Sequence, residues 1–227
     1  MKKVAIFDID GTIFRSSLTI EVTNTLIAED IFPASTRKSY QRAYENWLNR
    51  KDSYDKYIDA VVKAFDKHIK GVPRVDFLRI ARQVVAYQQH RVYRFTRDMV
   101  RTLRKRGYFL IAISHSPTDV VGEFAKRWGF HRVYGLGFEL DKHGKFTGRI
   151  TFDKFLHDKA KILQHAVATE KLSLKGSIGV GDSEGDIPML KLVDRPICFN
   201  PNSVLYRYAK RSKWEIVVER KDVIYKI

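Results

Sequence analysis

The chain has 227 residues, with 42 Lys and Arg against 26 Asp and Glu, and a formal charge of +16. This length suits one large α/β domain, or a core carrying an insertion, and it buries a core without covalent staples. A single cysteine, Cys198, excludes a disulfide framework and a multi-cysteine zinc site, so a reducing, cytoplasmic setting is expected.

At the N-terminus, Lys2 and Lys3 precede an apolar run that stops at Asp8, too short for a signal peptide or a membrane span. That run, Val4-Ala5-Ile6-Phe7, predicts a strand buried on both faces of a parallel sheet, ending in Asp8-Ile9-Asp10-Gly11-Thr12. Residues 15–95 lack alternating strands and are rich in helix formers and aromatics. They read as three or four helices with breaks near Phe32-Pro33, Asp52-Ser53 and Gly71-Val72-Pro73. The aromatics Tyr40, Tyr44, Trp47, Tyr54, Tyr57 and Phe65 read as the insertion's own core. Beyond it, helices are expected from about Thr96 to Arg106, from Pro117, from His157 to Thr169 and from Asp186 to Leu192. Between them, buried strands are expected at Tyr108 to Ile113, Ser177 to Gly181 and Pro196 to Phe199, and a hairpin turning at His143-Gly144. The alternation predicts a doubly wound parallel α/β core of residues 1–14 and 96–227, with 15–95 as a small all-helical cap domain inserted after the first strand. Cys198 lies in an apolar run as a small core residue would.

Ligands of open α/β sheets bind beyond the carboxyl ends of the strands, and three polar groups fall there. Asp8 and Asp10 lie two apart on extended chain, so they point the same way and need a divalent cation or a shared proton to coexist. Gly11 allows a sharp turn, and Thr12 adds a donor where an anion can lie. Ser114-His115-Ser116-Pro117 places a hydroxyl at a helix start, where free amides favour anions, with Ser116 and Asp119 as a capping pair. Gly181-Asp182-Ser183-Glu184-Gly185-Asp186 supplies two more carboxylates, and with Asp8 they form an oxygen-rich set suited to Mg2+. Ser183 with Asp186 also reads as a cap. The basic residues are scattered, with small clusters at Arg101, Arg104, Lys105 and Arg106 and at Lys210, Arg211 and Lys213. A basic surface giving weak, sequence-independent nucleic-acid contact is expected, and no membrane association.

These motifs in this order resemble the haloacid dehalogenase superfamily. Asp8-Ile9-Asp10-Gly11-Thr12 is similar to its nucleophile motif, Ser114 to its second, Lys159 to its third, and Gly181-Asp182 through Asp186 to its fourth. The helical insertion, the hairpin ending Lys145-Phe146-Thr147-Gly148 and Asp186-Ile187-Pro188-Met189-Leu190 look most like the phosphoserine-phosphatase-like branch, subfamily I-B. The resemblance implies a Rossmann-like core and magnesium-dependent hydrolysis of a small phosphorylated metabolite. Asp8 would be the nucleophile that becomes an aspartyl phosphate, and Asp10 the general acid and base. Asp8, the Asp10 carbonyl, Asp182 and Asp186 would serve the metal, and Ser114 and Lys159 the phosphoryl oxygens, with Gly11, Thr12 and His115 lining the phosphate site. The second aspartate separates this pattern from the dehalogenases. Departures bear on substrate: Ser17 stands where phosphoserine phosphatases have a glutamate, Asp59 or its neighbours where they have an arginine, His115-Ser116 where they have two glycines, and Gly185 where they have asparagine. Phosphoserine is therefore expected to be a poor substrate. A phosphatase for nucleotide or nucleic-acid phosphate, and a non-catalytic basic binding module, are the alternatives.

Overall fold

The computed structural model describes residues 1–151 and 158–227. In chain order the strand β1 (Lys3–Asp8) is followed by four helices, α1 (Leu18–Ala28), α2 (Thr36–Leu48), α3 (Tyr54–Ile69) and α4 (Arg74–Gln88). Then come α5 (Arg94–Lys105), β2 (Phe109–Pro117), α6 (Thr118–Trp128), β3 (Arg132–Leu136) and the hairpin strands β4 (Phe138–Leu140) and β5 (Phe146–Ile150). The chain ends with α7 (Lys159–Thr169), β6 (Ser173–Gly181), a 3₁₀ turn (Glu184–Asp186), α8 (Ile187–Leu190), β7 (Arg195–Phe199), α9 (Ser203–Ser212), β8 (Glu215–Arg220) and β9 (Val223–Lys226).

The main sheet is seven-stranded in the order β3-β2-β1-β6-β7-β8-β9, and every pairing is parallel except that of β8 with β9. Alternation along β1 explains how it is covered on both faces. Ala5 and Phe7 join a core with Val100 of α5, Phe124 of α6 and the inserted helices, whereas Val4 and Ile6 join Ile162 and Leu163 of α7 and Leu205 of α9. On β2, Leu110 and Ala112 take the first side and Ile111 and Ile113 the second. Helices therefore lie on both faces, as the continuous apolar runs require. The chain passes from β1 outward to β2 and β3, then returns to the other side of β1 as β6. The crevice at that reversal is where ligands of such sheets bind.

The four inserted helices break where expected, with Ser53 accepting from Lys56 N at the start of α3 and Pro73 preceding α4. The chain leaves and re-enters through one short ladder, Arg15 N to Arg91 O at 2.9 Å and Tyr93 N to Ile13 O at 3.0 Å. The hairpin grips the inserted helices from the other side, where Gly71 N donates to Phe146 O and Phe146 N to Val72 O. Phe65 packs edge-on to Phe77 and Phe138, while Tyr40, Tyr44, Trp47, Tyr54 and Tyr57 form a connected aromatic cluster, so these rings are mainly core.

Several elements differ from expectation. β2 runs through Pro117, so α6 opens at Thr118 without a side-chain cap, and Asp119 instead binds Arg74 through two hydrogen bonds of 2.7 and 2.9 Å. Ser116 does not cap because its hydroxyl has buried partners in Asp10 and Thr19. Helix α5 begins at Arg94, two residues early, where Glu219 accepts from the Arg94 and Phe95 amides. α7 opens at Lys159 with the Asp158 carboxylate capping Ala160 N and Lys161 N, and His157 lies outside the described residues. The strands β3, β8 and β9 carry apolar runs of three residues at most, such as Ile216 to Val218 and Val223 to Tyr225, and they lie at or near the sheet edges. Cys198 is fully buried in β7. Among the described residues no helix is long and apolar enough to cross a membrane.

Candidate active site

β1, β2 and β6 deliver Asp8, Ser114 and, one residue beyond the strand, Asp182 to the same edge, and the first residue of α7, Lys159, lies beside them. Lys159 is 3% exposed, and its ammonium donates to Asp8 Oδ1 at 2.7 Å and to Asp186 Oδ1 at 2.5 Å. The other Asp186 oxygen accepts from the Asp182 and Ser183 amides, both at 3.0 Å, within the expected capping box. Asp186 thus braces both the lysine and the loop that carries Asp182.

Asp10 is held differently. Its Oδ1 accepts from Leu18 N at 2.5 Å, and its Oδ2 from Ser114 Oγ at 2.5 Å and Ser116 Oγ at 2.8 Å. Ser114 in turn accepts from Ser116 N, and Ser116 shares a hydrogen bond with Thr19 Oγ1. The two residues of the pair Asp8 and Asp10 therefore sit in separate settings, one against an ammonium and one against hydroxyls and an amide.

Burial raises the Asp8 carboxyl to about 7 against the pull of Lys159, with Asp186 and Asp10 adding repulsion. Burial likewise raises Asp10, opposed chiefly by the Ser114 hydrogen bond, and lifts Asp182 well above the carboxylate range with the help of Asp8 and Asp186. For Lys159 burial works against the charge, but Asp186 and Asp8 outweigh it and the amine stays protonated.

Three observations fit a hard divalent cation. Asp8, Asp182 and Asp186 each bring an oxygen within 4.8 Å of the others. Asp8 Oδ2 is buried without a hydrogen-bond partner. Gly11, at φ +80°, closes the loop so tightly that a Cβ would stand 2.2 Å from Asp182 Oδ2. An all-oxygen set of carboxylates suits Mg2+ better than softer metals. The Asp10 carboxylate is outside this set, its oxygens being taken by Leu18, Ser114 and Ser116, which leaves only its main-chain carbonyl for the part the resemblance implies.

A cavity of about 200 Å3 opens over these groups, and Asp8, Asp10, Gly11, Lys159, Asp182 and His115 are on its wall. Thr12 is not: it is fully buried, and its hydroxyl donates to Asp182 Oδ1 at 3.3 Å, steadying that carboxylate from outside the cavity. Ser114 stands behind Asp10, outside the cavity lining, and His115 is an exposed rim residue. Ser17 faces the cavity as the N-cap position of α1, whereas Asp59 faces a separate groove between α2 and α3.

Residues 5–191 match the profile of the haloacid dehalogenase-like hydrolases. The chain belongs to that family. Among its relatives, a phosphoserine phosphatase of Mycobacterium tuberculosis is 26% identical over 93% of this chain and 69% of its own length. A histidinol-phosphatase of Neisseria meningitidis is 23% identical over 96% of this chain and 99% of its own. A solved structure of a Bordetella pertussis protein of unknown function superposes with a TM-score of 0.74 at 20% identity, covering 95% of this chain and 98% of that one, which establishes the shared fold. In this haloacid dehalogenase-like hydrolase, sequence reading missed Ser116, Thr19, Tyr54 and Asp55 at the site. Ser116 was legible: two residues after Ser114 on extended chain, it points the same way. Tyr54 and Asp55 come from an inserted helix whose approach no local pattern reports.

Proposed function

We propose that the chain is a magnesium-dependent phosphatase for small phosphate monoesters, acting through an aspartyl phosphate on Asp8. The observation that carries this is the contrast between its two aspartates, with Asp8 beside a buried ammonium and Asp10 held by three donors. Asp8 attacks phosphorus and the P–O bond to the alcohol breaks, while protonated Asp10 gives its proton to the departing oxygen. Asp10 then takes a proton from water as the water oxygen attacks phosphorus and the Asp8–P bond breaks. The raised affinity of Asp10 for its proton suits the first of these duties, and the Leu18 amide and Ser116 keep it aimed. Lys159 and the neighbouring amides would hold phosphoryl oxygens, with Ser114 steadying Asp10 from behind the cavity, and Asp8, the Asp10 carbonyl and Asp182 would hold the ion with Asp186 supporting from nearby. A bound divalent cation supplies positive charge that screens an anionic nucleophile from an anionic phosphate.

The cavity volume of about 200 Å3 lies below the roughly 300–1,000 Å3 of sites for drug-sized ligands, which favours a small ester over a nucleotide. The relatives named as phosphatases of small phosphorylated metabolites support the same reading. Aryl phosphate hydrolysis tests it: turnover is expected with Mg2+, is lost in chelator, and is lost in Asp8→Asn with the fold intact. Near wild-type turnover by Asp8→Asn would remove Asp8 as nucleophile.

A further inference from the structure

Part of the cavity wall comes from α3, through Tyr54, Asp55, Ile58 and Val62. Positions 54, 58 and 62 repeat every four residues, and Asp55 adjoins them with Ile58 and Val62 three and seven residues on, so all four share one helix face. That face offers a phenol, a carboxylate and two aliphatic surfaces. Among the described residues on the cavity wall, Lys159 is the one Lys or Arg, and Asp8 and Asp186 hold its ammonium. Lys56, next to Asp55, turns away: it pairs with Asp52 at 2.8 Å and lines the groove between α2 and α3. Glu184, on the sheet side, is near enough to Asp55 to raise its pKa, though burial raises it more and Asp59 adds to both. Beyond the phosphate site the wall thus presents the Asp55 carboxylate, with His115 at the exposed rim.

Resting on the phosphatase reading above, we propose that the alcohol released from the phosphate carries a positively charged group and no carboxylate, and that Asp55 selects it. A carboxylate on that alcohol would face Asp55, and the one Lys on the wall is held at the other end by Asp8 and Asp186. An ammonium would gain the Asp55 carboxylate, and its carbons would lie against Ile58 and Val62. Room for a phosphoryl group and a short chain is what about 200 Å3 provides.

Three two-carbon esters of matched size separate the charges: O-phosphoethanolamine, ethylene glycol monophosphate and phosphoglycolate, assayed in Mg2+ with p-nitrophenyl phosphate alongside. The wild type is expected to prefer the ammonium ester over the carboxylate ester by about tenfold or more in kcat/KM, the scale of one hydrogen bond to a charged group. Asp55→Asn is expected to cut the ammonium-to-glycol ratio about tenfold, and Asp55→Lys to place the carboxylate ester above the ammonium ester. Each ratio is taken within one protein, so partial unfolding cancels from it. Turnover of the aryl phosphate with the carboxylate ester equal or preferred in the wild type overturns the selectivity and leaves the phosphatase reading standing. An unchanged ratio in Asp55→Asn removes Asp55 as the selector. Failure to hydrolyse all four esters overturns the phosphatase reading, and this inference with it.

Discussion

Asp8→Asn should stabilise the metal-free protein at alkaline pH while destroying its activity. The Asp8 carboxyl rises from an ordinary 3.8 to about 7 in the folded chain because burial and neighbouring carboxylates outweigh Lys159. Between those values the native state binds more protons than the unfolded chain, so stability falls as pH climbs from about 4 and the loss is complete above about 7. At 1.36 kcal/mol per pKa unit, the charged Asp8 costs about 4 kcal/mol at pH 8. An asparagine keeps the shape without the charge. For a chain of this length each kcal/mol moves Tm by roughly 2–4 °C, so the variant should melt on the order of 10 °C above wild type at pH 8 in chelator. The gap should narrow through pH 6 and close near pH 4. Added Mg2+ should stabilise wild type, by ~2.7 kcal/mol at a hundred times Kd, and leave the variant behind. Calorimetry across this pH series, with and without the ion, reads both effects. A variant that melts below wild type at pH 8 in chelator would refute the account of a strained, cation-ready carboxylate.

Lys159→Met removes the ammonium shared by Asp8 and Asp186 and should destabilise the fold by ~3–5 kcal/mol at neutral pH in denaturant titrations, the scale of a broken buried ion pair. A loss under 1 kcal/mol would show that the pair is not electrostatically coupled. Ser116→Ala removes a donor that lowers the Asp10 pKa, so the alkaline limb of kcat/KM for an aryl phosphate should move to higher pH; a shift to lower pH contradicts the role given to Asp10. Labelled duplex DNA titrated across a salt series should bind with Kd of only ~10⁻⁴–10⁻⁶ M at physiological salt, and nanomolar binding there would point to a dedicated site.

The sheet and the carboxylates were legible because buried strands and sharp polar loops leave local marks. Val4 to Phe7 could be read as a two-faced strand, and Asp8, Asp182 and Lys159 do meet at one edge. The errors came where tertiary partners outbid a local pattern. Ser116 has the spacing of a cap, yet Asp10 and Thr19 offer it buried hydrogen bonds. Asp55 was invisible for another reason: nothing within α3 reports that its first turn meets the loops of β1 and β6.

The ladder joining Ile13 with Tyr93 and Arg15 with Arg91 brings the two chain crossings side by side. In the language of gene fusion this is a ready splice: a short link across it would omit the inserted helices without rerouting the sheet. Energetics forbid what topology invites. Phe7 and Val180 of the sheet lie in one apolar cluster with Val22, Phe65 and Ile80 of the inserted helices, so excision would uncover the sheet's inner face rather than a solvated boundary. A helical segment so joined can be exchanged for another of matching underside, but not simply deleted, and variation in what the pocket accepts is confined to substitutions that leave that underside intact.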